Sequence, residues 1–236
     1  MSVRLIVRTF SEICITAGSV IVLFVAYVLF WTGLQAEGET QGQIARLHRE
    51  WARIPLPSPA PARSPGPSVS PVAVPPPVAY EDGKPFAVMY VPRFGSEWDW
   101  PVLEGTGTGT LRKGLGHYSA TARLGATGNF SVAGHRRTYG DPFKDFPDLR
   151  PGDAVILNDG TTWFTYRIRS KPYRTVPQDV GVIDPVPGKS GFAGPGRYLT
   201  LTTCDPEWGS SHRLVVWAHL DATRPVTDGK PEAFHS

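Results

Sequence analysis

From residue 13 to residue 34 the chain is almost wholly apolar and carries no charged side chain. About 22 residues rise ~33 Å as a helix, against ~30 Å of bilayer hydrocarbon. A cleaved signal peptide would have a shorter apolar core, ~7–15 residues, ending in a small-x-small site. Leu34-Gln35-Ala36 does not supply one. The run therefore reads as an uncleaved membrane anchor. Tyr27 and Trp31 stand near its outer end, where amphipathic rings favour the interface. Arg4 and Arg8 precede it, which keeps residues 1–12 as a cytoplasmic head and sends everything after the run outside the cell. Cys14 opens the run, whereas a lipidated cysteine would follow one; it reads as a small lipid-facing side chain.

Beyond the anchor the texture changes three times. Residues 35–54 form a polar spacer in which Leu47, Trp51 and Ile54 give one weakly apolar helical face. Residues 55–79 are dominated by proline, a composition that favours extended polyproline II over a packed core. At ~3.1 Å per residue such a linker reaches roughly 75 Å. Residues 80–224 look globular and β-rich, and 225–236 form a tail. Strands are expected at 86–91, 100–103, 129–133, 154–157, 163–168, 174–176, 198–203 and 213–218, with short helical turns near Leu111 and Phe143. Short strands between Gly and Pro turns indicate an all-β barrel or sandwich. The net charge is +3 with scattered basic residues, which argues against a nucleic-acid partner. The two cysteines fall in the anchor and in the globular part, so an intramolecular disulfide is not expected.

Residues 198–220 hold the densest chemistry. A strand ends at Cys204, a turn with Pro206 and Gly209 follows, and Arg213 opens the next strand. A thiol and a guanidinium thereby reach one cleft. Thr-Leu-Thr-Thr-Cys (200–204), then Pro206 and Arg213-Leu-Val-Val, resembles the signature of the sortases, membrane-anchored cysteine transpeptidases of Gram-positive cell surfaces. Gly-Asn-Phe-Ser-Val-Ala-Gly-His-Arg (128–136) resembles the segment that carries the sortase histidine. Gly116-His117-Tyr118 and the blocks at 139–143 and 149–153 match in order, and the likeness is greatest to class E sortases of high-GC Gram-positive bacteria.

The resemblance implies a closed β-barrel of about eight strands; the sequence itself shows no cofactor motif and no recognised zinc spacing. The resemblance also implies Cys204 as nucleophile, His135 as acid and then base, and Arg213 as the donor to the acyl oxygen. It implies Tyr118 as a residue favouring Leu-Ala-x-Thr-Gly over Leu-Pro-x-Thr-Gly signals. Thr203, just before the nucleophile, is a further candidate for substrate binding. The implied partners are a sorting-signal peptide of secreted surface proteins and an amine of a peptidoglycan precursor, with the membrane engaged through the N-terminal helix. Two other readings compete with it. An L,D-transpeptidase carries its cysteine in a different setting from Thr-Thr-Cys204-Asp-Pro, and a non-catalytic surface module leaves the free thiol unexplained. The Gly-rich run at 105–110 lacks the Gly-Lys-Ser/Thr of a phosphate loop. Asp141, Asp145 and Asp148 cluster in a loop of the kind that is usually solvated.

Overall fold

The computed structural model describes residues 3–53 and 79–235. A single helix, α1 (Val3–Trp51), begins the chain. Its stretch Val3–Tyr27 is long and apolar enough to cross a membrane, which is compatible with an anchor. At the other end of α1, Ile44 and Leu47 are buried against Val88, and Trp51 and Tyr90 pack beside them. The weakly apolar face of the spacer thus includes two residues, Leu47 and Trp51, that lie on the globular part. The Pro-rich linker expected at 55–79 lies outside the described residues except for Ala79.

Nine strands follow among the described residues: β1 (Pro85–Tyr90), β2 (Asp99–Glu104), β3 (Leu115–His117), β4 (Gly128–Ala133), β5 (Ala154–Asn158), β6 (Thr162–Ile168), β7 (Tyr173–Thr175), β8 (Arg197–Asp205) and β9 (His212–Pro225). The ladder order is β6-β5-β1-β2-β3-β4-β8-β9, and pairing of β6 with β9 closes it into an eight-stranded barrel. Strand β7 adds to β9 outside the ring. Most pairs are antiparallel, but β2 with β3 and β4 with β8 are parallel. One helical turn, α2 (Thr108–Leu111), precedes β3.

Alternation along the strands fills the barrel. Leu199 and Leu201 of β8, Leu214 and Val216 of β9, and Phe130 and Val132 of β4 all join the main core. The opposite face of the same strands is also covered. The connection from β7 to β8, with a 3-10 turn at Val180–Ile183, lies over it and packs Val182 on Val215 and Trp217. Several polar groups under this cover are paired, although Ser131 Oγ on the same face has no partner among the described residues. The Thr200 hydroxyl donates to Asn129 Oδ1 at 2.9 Å, and Trp217 Nε1 donates to the Val182 carbonyl at 3.0 Å.

Seven of the eight strands read from the sequence differ from the observed elements only by a residue or two at their ends. The eighth, expected to stop at 218, continues to Pro225, because β6 offers it a second partner as far as Thr162. Strand β3 escaped sequence reading. It is three residues long with glycine in the middle, so it has neither length nor alternation. The glycine is required: a Cβ at Gly116 would stand 2.5 Å from the Gly105 carbonyl oxygen and 2.9 Å from Leu111.

Leu201 is 1% exposed inside the barrel. Leu201→Ala is expected to cost about 2–5 kcal/mol of stability. Chemical denaturation of the full chain measures it; a loss below 1 kcal/mol would contradict this core assignment.

Candidate active site

The hairpin of β8 and β9 sets the first two groups. In its antiparallel register Cys204 stands directly opposite Arg213. Opposed residues share a face, with Cβ atoms about 4.5–5.5 Å apart. Because Leu201 and Thr203 point into the barrel, Thr202 and Cys204 point to the covered outer face. Cys204 is a free thiol and half-buried.

The third group arrives from β4. Ala133 is level with Thr202 in the parallel ladder, so two residues further on His135 comes level with Cys204. The ladder extends one step past β4, where the Gly134 N–H donates to the Thr202 carbonyl at 3.1 Å. Here too only glycine fits, since a Cβ at Gly134 would lie 2.6 Å from Phe143 and 2.7 Å from Leu115. The sequence therefore brings His135, Cys204 and Arg213 to one end of three adjacent strands, in that lateral order.

Their local bonds differ. Arg213 Nη1 donates to the carbonyls of Ser210 and His212, each at 2.9 Å, which holds the guanidinium against the hairpin turn. The His135 backbone carbonyl accepts from the Phe143 N–H at 3.0 Å. Its side-chain Nε2 is buried and has no hydrogen-bond partner among the described residues. No hydrogen bond among the described residues links the three side chains to one another. Burial holds the His135 pKa below the usual imidazole range, and the Arg112 cation lowers it further, against an opposing pull from Asp141.

Tyr118 follows β3 and lies on the same outer face. Its N–H donates to the Ser131 carbonyl at 2.9 Å, and its hydroxyl lies 3.0 Å from the Thr202 hydroxyl. Tyr118 is thus bonded directly to the strand of Cys204, at the residue two before the thiol. Thr203, expected to contact substrate, adjoins the thiol on the strand. It is 3% exposed, and its hydroxyl donates to the Gly134 carbonyl at 2.9 Å. Alternation explains this: a residue adjacent to an outward-facing Cys204 must face inward. Thr202 shares its face with Cys204.

Sequence reading also missed Arg136, Asp205 and Arg174. Arg136 Nη1 donates to Asp205 Oδ1 at 2.6 Å, and Arg174 Nε donates to Asp205 Oδ2 at 2.6 Å. The available signal was position alone: Arg136 follows His135 and Asp205 follows Cys204. Asp141 is engaged too, accepting from the Thr138 N–H and from Arg137. Among the described residues no cluster of three or more His, Cys, Asp or Glu side chains is arranged to hold a metal.

Comparison with known proteins decides the family, because the sortase domain matches residues 89–221, more than half of the chain. The chain belongs to the sortase family. Sortase SrtE1 of Streptomyces coelicolor is 38% identical over 97% of this chain, which spans 61% of that relative's length. The solved sortase E of Streptomyces avermitilis shares 72% identity and a TM-score of 0.63, covering 66% of this chain and 99% of its own. Sortase E1 of Streptomyces coelicolor, solved with a tripeptide in the active site, shares 40% identity and a TM-score of 0.61 over 64% of this chain and 96% of its own. These likenesses make the present sortase class E-like. The family is one of cysteine transpeptidases, and its eight-stranded barrel is the fold observed here.

The folded sortase favours neutral imidazole at His135, so this contribution to stability is complete above the unfolded value of ~6.5 and is lost as pH falls through the depressed folded value. Arg112→Gln should raise the His135 pKa, and Asp141→Asn should lower it further. NMR titration of the ring carbons reads both shifts; movement in the opposite directions would overturn this electrostatic account.

Proposed function

We propose that this sortase cleaves a Leu-Ala-x-Thr-Gly type sorting signal between Thr and Gly and joins the carboxyl of Thr to an amine of a peptidoglycan precursor. The single observation that carries the proposal is the meeting of His135, Cys204 and Arg213 at one end of β4, β8 and β9 within a sortase domain.

The chemistry follows from the three groups. The Cys204 thiolate attacks the Thr carbonyl carbon, and electron density moves to the carbonyl oxygen. Arg213 donates to that oxyanion, a role in which a directed donor is typically worth ~2.7–4 kcal/mol. The tetrahedral adduct collapses, the C–N bond breaks, and His135 gives its proton to the departing Gly amine. A thioester remains. The acceptor amine then attacks the thioester carbonyl, His135 takes the amine proton, and the new amide releases Cys204. Burial and the Arg112 cation, which hold His135 toward neutrality, disfavour the imidazolium in the resting enzyme. The absence of a resting hydrogen bond between His135 and Cys204 does not oppose the assignment, because catalytic bonds commonly tighten only with substrate bound.

Tyr118 supplies the preference for Ala over Pro in the signal. Its ring stands on the face that leads to Cys204, and its hydroxyl is already bonded to Thr202, which limits the space left for a bulkier Pro. Thr203 contributes by holding the Gly134 carbonyl, and with it the approach of His135 to β8. The proposed setting is a single-pass membrane protein. Arg4 and Arg8 lie inside, the apolar part of α1 spans, and the barrel works outside the cell.

Cys204→Ala is expected to abolish cleavage of a Leu-Ala-x-Thr-Gly peptide, and turnover retained in that variant would remove the nucleophile assignment. Arg213→Lys should lower kcat by roughly 100-fold or more with folding intact, because an ammonium lacks the planar fork that aims two N–H groups. Wild-type kinetics in that variant would exclude the oxyanion role. Tyr118→Ala should narrow the ratio of kcat/KM between Ala- and Pro-containing peptides.

A further inference from the structure

The catalytic assignment leaves one feature beside it unexplained. His135 lies past the last rung of the β4–β8 ladder, which ends at the bond from Gly134 to Thr202. Backbone hydrogen bonding no longer ties it to the strand of Cys204; its own carbonyl is bonded to Phe143 instead. The chain then enters a loop in which Thr138, Tyr139 and Asp141 hold φ values of 98°, 51° and 53°. Non-glycine residues keep such left-handed conformations only where their surroundings over-determine them.

The crossing between the two segments is made by side chains. Arg136, next to His135, donates to one oxygen of Asp205, next to Cys204, at 2.6 Å. The other oxygen of Asp205 accepts from Arg174 of β7, also at 2.6 Å. One carboxylate is therefore gripped on both oxygens by guanidinium groups from two different elements. Arg137 makes a second crossing to Glu207. The Arg136 and Asp205 side chains are only 11% and 15% exposed, unlike the ordinary solvated pairs at the surface. Arg174, and then Arg136, hold the Asp205 carboxyl below the usual carboxylate range, so it stays ionised throughout the neutral region. By alternation Asp205 points to the face opposite the Cys204 sulfur. It does not touch the reacting atoms.

We propose that Asp205, clasped by Arg136 and Arg174, is a positioning residue for transpeptidation, holding the His135 segment at working distance from Cys204. The assignment rests on the catalytic roles proposed above for His135 and Cys204. A displaced imidazole leaves peptide binding intact but slows both proton transfers. The loss therefore belongs in kcat.

The test uses the full chain with a Leu-Ala-x-Thr-Gly peptide and a glycine acceptor. Asp205→Asn keeps the shape of the side chain and removes its charge; kcat should fall by about 10- to 100-fold, the range that small misplacements of a reacting group produce. KM should hold. Arg136→Gln should reproduce the fall, and Arg136→Lys should restore much of it, since one nitrogen makes the contact. The rate of Cys204 alkylation by iodoacetamide, followed against pH, supplies a readout that a merely structural role would not move. Its profile in Asp205→Asn should shift toward that of His135→Ala. Should Asp205→Asn fail to fold, Arg136→Gln carries the same comparison. Wild-type kcat and an unmoved alkylation profile, with Cys204→Ala inactive, would overturn the clasp and leave the catalytic assignment standing. Turnover retained in Cys204→Ala would overturn both.

Discussion

The register of β8 against its two neighbours is the constraint on which the site depends. Side chains on a strand alternate with a period of two, so a slip of one residue would send the Cys204 sulfur into the barrel and bring Thr203 out. The core opposes that slip, because Leu199 and Leu201 are buried with Leu214, Val216, Phe130 and Val132 on one side of the sheet. The covered outer face reinforces it, since Thr200 has its partner Asn129 only in this register. Packing of apolar groups far from the thiol therefore decides which residue becomes available for chemistry.

Buried polar groups on that outer face are mostly bonded, but Ser131 Oγ, level with Thr200, has no partner among the described residues. Under the β7–β8 connection the buried hydroxyl, amide and indole groups of Thr200, Asn129 and Trp217 all have partners. At the strand ends His135 Nε2 is buried without one, and Arg136 Nε shares that condition. Unsatisfied buried groups carry a cost that a structure sustains only where surrounding contacts hold them. Here Gly134, Phe143 and the Arg136–Asp205 pair do the holding.

Much of the barrel was legible in the chain because alternation and Gly/Pro punctuation report local structure directly. The failures have particular causes. Strand β3 has too few residues for a period to show, and its glycine answers to the Gly105 carbonyl, distant along the chain but adjacent in space. The extension of β9 to Pro225 depends on β6, a partner no local pattern names. Thr202 and Thr203 are the same residue type side by side, and only the direction of Cys204 distinguishes the one bonded to Tyr118 from the one bonded to Gly134. The Asp205 clasp joins three elements, and adjacency to His135 and Cys204 was its only trace.

The sequence by itself determined the apolar segment fit for a membrane, the β-rich class of the globular part, and the motifs that carry a thiol, an imidazole and a guanidinium. Those are properties of composition, period and local spacing. Tertiary structure decided that β6 closes on β9, that Cys204 faces outward with Thr202, and that His135 comes level with it. The physical reason is that closure and register are settled by which apolar faces can be buried together, a condition satisfied only when strands distant along the chain have met.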